Sequence, residues 1–256
     1  MITAASLIAL AGLAASPSPA PETSPTEVWV GHQILRGKRH LPVYGDVPVE
    51  TQNFVLAKMQ RRNGRMEFQQ TLCRVEPQPV DGVTVTLSPA AVARIPISPM
   101  AVEVAGDGSV KIAPYDMAWT NEDLDGDGKP GATFTVGGTI CSGDVYVASQ
   151  SHFTVERVRL NAAGLSGELT ATQKQHVLGA RGLCLRAITG DSTEYQRGSF
   201  AYKPVLAQTT CQSLAGKPWP VKAQPVPNRL VAQALGILGQ APAGAPPPAP
   251  SPSSHR

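Results

Sequence analysis

The sequence predicts an all-β protein, in which an antiparallel meander closes as a barrel or, alternatively, packs as a β-sandwich, with a short C-terminal helix. Three observations support this prediction. The 256 residues include 24 glycines and 24 prolines, which suit strands joined by tight turns. Runs rich in β-branched residues recur from Thr26 onward. Few segments have the spacing of apolar residues that an amphipathic helix needs.

The first strands are predicted from alternating and β-branched sequence. "EVWVGHQILRG" at 27–37 begins the series. In the segment 53–75, two strand-like runs flank Asn63-Gly64, a pair that favours the backbone angles of a two-residue hairpin turn. Because side chains alternate between the faces of a strand, the second run should place four of them on one face: Met66, Phe68, Gln70 and Leu72.

The middle of the chain continues this pattern with few helical signals. "GVTVTLSP" at 82–89 predicts a strand that ends at Pro89. A helical turn is expected at 89–93, and Pro96 and Pro99 exclude a longer helix. Further strand-like runs follow, separated by Gly, Ser and Asn, and "RGLCLRAIT" at 181–189 is predicted to be one of these strands.

The β domain is predicted to span 26–215, with an extension at 216–239. "SLAG" near Ser213 is one helical candidate. The other is the segment 227–239, whose helical spacing places four apolar residues on one face: Leu230, Ala234, Leu235 and Leu238. The tail 240–256 is rich in proline and too poor in bulky apolar residues to fold, so we expect it to be disordered.

The N-terminus indicates export. Residues 1–20 resemble a secretory signal peptide, with an apolar run at 7–15 followed by small residues. No Lys or Arg precedes that run, so either the true start lies upstream or the amino terminus supplies the positive charge. A proline-rich spacer follows and includes residues 21–25. These features predict a secreted or periplasmic protein, and no later segment is apolar enough to span a membrane.

The four cysteines agree with export. They are far apart in the chain and lack the close spacing of a zinc site: Cys73, Cys141, Cys184 and Cys211. An even number in an exported chain favours two disulfides. Three pairings are possible, and the preferred one joins Cys184 to Cys211 and Cys73 to Cys141.

The loop 121–132 carries the clearest chemical signal. Asp123, Asp125 and Asp127 alternate and are followed by Gly128, which matches the start of the calcium-binding pattern D-x-[DN]-x-[DN]-G. Calcium takes six to eight oxygen ligands, which carboxylates on a tightly turned chain can supply. Lys129 would offer its backbone carbonyl. Without a cation, three carboxylates this close would repel one another.

Residues 123–128 resemble the calcium loops of EF-hand proteins, dockerins and integrin-type repeats. That resemblance implies Ca²⁺ held by Asp123, Asp125, Asp127 and the Lys129 carbonyl. The loop departs from the EF-hand at its twelfth position, where Phe134 replaces the bidentate Glu. A completing carboxylate is expected from elsewhere, from Asp116, Glu122 or Asp144. The export signal, this loop and the scattered cysteines together also resemble uncharacterised secreted β-rich bacterial proteins, which implies no particular activity.

Charge does not favour nucleic acid as a partner, because the net charge of +3 is small and spread along the chain. One basic cluster stands out: Lys58, Arg61, Arg62 and Arg65. It is expected to be a solvated hairpin tip, and a contact with an anionic cell-surface polymer is the alternative.

Catalytic motifs are scarce. His32, His40, His152 and His176 are isolated in the sequence and expected to be ordinary surface or half-buried residues. The sequence therefore predicts an exported, disulfide-stabilised binding or structural module with one weak structural calcium site. The alternative is an exported hydrolase, such as a glycosidase, whose carboxylates converge only in the fold, with Glu156, Glu168 and Glu194 available.

Overall fold

The computed structural model describes residues 26–41, 45–62, 65–80, 82–139 and 141–226. The predicted signal peptide 1–20, the spacer 21–25, the Asn63-Gly64 turn, the candidate helix 227–239 and the tail 240–256 lie outside the described residues.

Strands dominate the described residues, and they are joined by turns and three short helices. The strands are β1 (Glu27–Leu41), β2 (Gly45–Arg62), β3 (Arg65–Pro77), β4 (Thr84–Leu87), β5 (Met100–Val104), β6 (Val110–Ile112), β7 (Tyr115–Trp119), β8 (Ala132–Gly137), β9 (Gly143–Asn161), β10 (Gly164–Arg181) and β11 (Ser192–Val205). The helices are α1 (Pro89–Arg94), α2 (Leu183–Ile188) and α3 (Cys211–Leu214).

All the strands belong to one antiparallel sheet, in the order β4-β8-β9-β10-β11-β1-β2-β3-β5-β6, and β7 pairs with β9 beside β8. The sheet curves into an open half-barrel. The predicted closed barrel is therefore wrong, and the structure does not show two packed sheets. Closure requires the end strands to pair, whereas the ends here, β4 and β6, are short strands that pair with one neighbour each.

The hairpin of β2 and β3 confirms the predicted alternation. Arg62 pairs with Arg65 in the ladder, so the strands meet on either side of Asn63-Gly64. Side chains of β3 alternate between exposed and buried from Arg65 to Leu72. The predicted face of Met66, Phe68, Gln70 and Leu72 is the buried one.

The concave side of the sheet holds the main core. Alternate residues of the long strands point into it, because successive side chains of a strand lie on opposite faces of the sheet. Large side chains from strands distant in sequence meet there, including Trp29, Phe68, Phe153, Phe200 and Tyr202. Trp29 and Phe68 pack edge to face, with ring centroids 5.4 Å apart.

The short helices follow local signals in two cases and contradict the prediction in one. α1 begins where predicted, because the Ser88 hydroxyl accepts a hydrogen bond from the Ala91 N–H. α3 overlaps the "SLAG" candidate. The strand predicted at 181–189 is wrong, since β10 ends at Arg181 and α2 follows. There Leu185 is buried against Val145 and Val147, and a short apolar run does not distinguish a strand from one buried helical turn.

The disulfides join Cys73 to Cys211 and Cys141 to Cys184. Two disulfides are therefore confirmed, and the preferred pairing is wrong. Cys184 lies on α2, which packs against the start of β9, just after Cys141. Cys211 lies on α3, where the chain leaves the sheet, and its disulfide attaches this segment to β3. Such pairing is typical of proteins that fold in an oxidising compartment.

The segment after α3, residues 216–226, crosses the convex face of the sheet. Trp219 Nε1 donates a hydrogen bond to the Gly31 carbonyl, and its ring packs edge to face against Phe54, with centroids 5.4 Å apart. The Ala223 N–H donates to His32 Nδ1 at 3.0 Å. His32 is 3% exposed, so the expectation of a surface or half-buried residue is wrong for this histidine. We call residues 216–226 the C-terminal strap.

We expect removal of the Cys73–Cys211 disulfide to cost more stability than removal of Cys141–Cys184, because it closes the larger loop. The paired cysteines are separated by 138 residues in Cys73–Cys211 and by 43 in Cys141–Cys184. Loop-closure entropy then makes Cys73→Ser/Cys211→Ser more destabilising than Cys141→Ser/Cys184→Ser by about 1 kcal/mol. Denaturant unfolding of the two double variants measures the difference. Equal losses, or the reverse order, would show that native-state contacts at α2 outweigh loop entropy.

Because His32 is buried and neutral, we expect the folded protein to lose stability in acid. Burial lowers the pKa of His32 below its usual 6.5, and the nearby Lys222 and Arg74 act in the same direction. The neutral ring accepts from Ala223 through Nδ1, which protonation would abolish. Its contribution is therefore complete above pH 6.5 and declines as the pH falls from there through the folded-state pKa. His32→Asn, which keeps an acceptor but cannot titrate, should unfold in denaturant with a weaker pH dependence of the unfolding free energy, and an unchanged pH dependence would contradict this role of His32.

Candidate metal centre

The acidic loop connects β7 to β8, two strands that pair with the same edge of β9. Asp123, Asp125 and Asp127 each present a carboxylate oxygen there, and these oxygens lie within 4.8 Å of one another. The predicted cluster therefore forms. The Trp119 indole donates to the Val147 carbonyl at 2.7 Å, which fixes the entry of the loop on β9.

Asp123 organises the loop. Its two carboxylate oxygens accept hydrogen bonds from three backbone N–H groups, those of Gly126 at 2.7 Å, Asp127 at 3.2 Å and Gly128 at 2.9 Å. These bonds, with that from Gly128 the strongest, lower the pKa of the Asp123 carboxyl. The group is therefore ionised at neutral pH, and the chain is wrapped around its negative charge.

The other two carboxylates face the start of β8. Asp127 accepts from the Lys129 N–H at 2.8 Å and from the Thr133 hydroxyl at 2.7 Å. Asp125 Oδ2 accepts from the Thr133 N–H at 3.3 Å. Asp125 Oδ1 is buried and has no hydrogen-bond partner among the described residues. A buried carboxylate oxygen normally has a partner, so this oxygen is available to accept a hydrogen bond or to coordinate an ion.

The expected completing carboxylates lie elsewhere. Asp116 bonds His152 Nδ1 at 2.8 Å, and Asp144 is paired with Arg181. Glu122 is outside the cluster that the three aspartates form. Phe134, at the twelfth loop position, is a half-buried residue of β8 that packs against the core. Among the described residues, the cluster of potential metal ligands therefore consists of the three aspartates, and none of the expected completing carboxylates joins it.

A positively charged side chain from a distant part of the sequence, that of Arg94, contacts the loop. The side chain of Arg94, in the last turn of α1, donates a hydrogen bond to the Leu124 carbonyl at 3.3 Å. Arg94 also helps to lower the pKa of Asp123, after the backbone N–H groups. Nothing in the sequence indicates this contact, because it depends on how α1 packs.

The predicted basic cluster is divided between the two faces of the β2–β3 hairpin, with Lys58 and Arg65 on one face and Arg61 on the other. Lys58 and Arg61 are exposed, but three residues along a strand place them on opposite faces. Arg65 pairs with Glu103 across the ladder at 3.0 Å. The Arg62 side chain lies outside the described residues. The anionic-polymer contact stays a prediction.

The carboxylates of the hydrolase hypothesis do not form a free pair. Glu156 and Glu168 face each other across β9 and β10. Glu168 is bound by Arg197 at 2.7 Å and by Arg157 at 2.6 Å, and these bonds lower its pKa. A general acid requires the opposite shift. Glu194 lies on the concave side, buried in an ion pair with Arg39.

The other three histidines considered in the sequence analysis are exposed and paired with aspartates. His40 bonds Asp46 at 3.0 Å, and His176 bonds Asp191 at 2.6 Å. Together with His152 and Asp116, these pairs lie at separate places on the sheet. They are ordinary hydrogen-bonded surface pairs, as the sequence predicted for these three histidines.

Comparison with known proteins adds no family: no family model matches the chain, and the search of curated proteins found no match. The likeness to EF-hand and dockerin loops is thus limited to the three clustered aspartates, and the chain leaves the loop as a strand, where an EF-hand continues as a helix. Among the described residues, no helix has the length and apolar character needed to cross a bilayer.

We expect two glycines of the loop to tolerate substitution by alanine to different degrees. Gly128 and Gly131 both have positive φ angles, 79° and 74°. A Cβ on Gly128 meets nothing within 4 Å, whereas one on Gly131 would lie 2.4 Å from the Val147 carbonyl oxygen. Gly128→Ala should therefore cost about 1–2 kcal/mol, for backbone conformation alone. Gly131→Ala should cost about 1–3 kcal/mol more, because backbone must move. Equal costs in denaturant unfolding would contradict the close approach of the loop to β9.

Proposed function

We propose that the protein is an exported, disulfide-stabilised β-rich binding or structural module whose acidic loop holds one calcium ion in a structural role. The observation that carries the proposal is the convergence of three carboxylates within 4.8 Å, together with a buried Asp125 oxygen that lacks a partner. Carboxylate and carbonyl oxygens are the ligands that calcium prefers.

The charge of the cluster supports a divalent cation. Three carboxylates at this separation repel one another, and backbone N–H groups compensate chiefly for Asp123. Arg94 reaches the loop through a carbonyl oxygen, Leu124, and not through a carboxylate. A divalent ion between the three aspartates would offset the remaining repulsion and give Asp125 Oδ1 a partner.

The number of ligands sets the expected affinity. Three aspartates and the Lys129 carbonyl supply fewer oxygens than the six to eight that calcium takes, so water would complete the shell. Sites of this kind bind weakly, with Kd about 10⁻⁴–10⁻³ M, a range typical of extracellular modules. The ion would then hold the β7–β8 loop against β9.

The two disulfides support export, because they form and persist in oxidising compartments. The filled concave core supports a structural or surface-binding role for the module. The hydrolase alternative gains no support from Glu168, which is held ionised by two arginines.

Calcium binding is tested by calorimetric titration of the chelator-treated protein, with its melting temperature measured in parallel. We expect saturable heat and, at a hundredfold excess of calcium over Kd, stabilisation of about 2.7 kcal/mol. Asp125→Asn should lose most of both effects. The matched control is Asp107→Asn, because Asp107 also accepts a backbone hydrogen bond in a turn, from Ser109, but lies outside the cluster.

Two results would contradict the metal centre. One is the absence of heat and of thermal stabilisation in the unmodified protein. The other is equal calcium-dependent stabilisation of the unmodified protein and Asp125→Asn, which would place the ion elsewhere on the chain.

A further inference from the structure

A hydrogen-bonded network of polar side chains lies inside the concave core. Gln33 is at its centre: its amide nitrogen donates to the hydroxyls of Tyr202 at 2.9 Å and Tyr115 at 3.3 Å, and its amide oxygen accepts from Asn53 at 3.2 Å. The Tyr202 hydroxyl donates in turn to the amide oxygen of Gln70. All five side chains belong to residues at most 5% exposed.

A cavity of about 10 Å³ lies against this network. Gln33, Asn53, Gln70 and Tyr115 provide its polar lining, and the other residues that line it are uncharged and apolar. A volume near 10–15 Å³, measured in this way, is about what one water molecule needs. The cavity is therefore too small for an organic ligand but large enough for a single water.

Two donors at the cavity have no acceptor. Gln70 Nε2 is buried and makes no hydrogen bond to any described residue. The Tyr115 hydroxyl accepts from Gln33, yet the hydrogen bonds among the described residues give its own proton no acceptor. Leaving a buried donor unpaired is costly, so both groups call for an acceptor in the cavity that they share.

The Tyr115 hydroxyl remains a donor at neutral pH. Burial raises the pKa of Tyr115, and also that of Tyr202, far above the usual value of a phenol. Ionisation therefore does not remove the unmatched proton.

We infer that one water molecule binds in this cavity as a fixed part of the core, accepting hydrogen bonds from Gln70 Nε2 and from the Tyr115 hydroxyl. A water oxygen has two lone pairs, which match the two unpaired donors, and its protons can bond Asn53. A cation does not fit, because the unmatched groups are donors. A halide does not fit either, because no charged residue lines the cavity and a buried, uncompensated anion is costly.

A high-resolution crystal structure of the full chain, grown with bromide in place of chloride, tests this inference. We expect a single density peak within hydrogen-bond distance of Gln70 Nε2 and Tyr115 Oη, without anomalous signal. Gln70→Met should lose the peak because the side chain is of similar length but has no amide. The matched control Gln69→Met, on the exposed face of the same strand, should keep it.

An empty cavity would overturn the inference, and so would an anomalous bromide peak at that position or a peak that persists in Gln70→Met. If Gln70→Met does not fold, the unmodified protein still decides the question by NMR. Cross-relaxation between the Gln70 side-chain amide and water supports the site, and its absence overturns it.

Discussion

The fold depends on the burial of one face of a single continuous sheet. β1 pairs along its length with β2 on one side and β11 on the other, so every inward side chain of this strand is placed by two neighbours. A shift of one residue in either ladder would turn Trp29, Gln33 and Leu35 away from the core. The C-terminal strap adds a second layer of burial, because it covers Val30 and His32 on the opposite face. The centre of β1 is thus buried on both faces.

The interior of the half-barrel contains polar groups that are satisfied only in this register. Gln33 contacts Tyr202, which is 169 residues away in the sequence, and Arg39 pairs with a Glu194 side chain that is 1% exposed. A buried polar group is costly when it loses its partner. These contacts therefore penalise alternative strand pairings more strongly than apolar packing would. The proposed water site belongs to the same hydrogen-bonded network around Gln33.

Sequence reasoning succeeded where the signal is local. The alternation of Met66 to Leu72, the helical turn after Ser88 and the clustering of the three aspartates follow from residues close together in the chain. It failed where the outcome depends on distant contacts. Cys73 meets Cys211 because α3 packs on the convex face of the sheet, where Leu214 joins the cluster around Phe54, and α2 forms because Leu185 packs against β9. The contact of Arg94 with the acidic loop and the open edge of the sheet also depend on packing.

The sheet is stable through burial, and we propose that the acidic loop depends on a calcium ion for the last part of its stability. Residue-resolved hydrogen–deuterium exchange, with calcium and then with chelator, tests this most directly. Amides at the centre of β1 should exchange slowest and equally in both conditions, whereas those of Gly126, Asp127 and Gly128 should slow only with calcium. Identical exchange of these loop amides in both conditions would contradict the account.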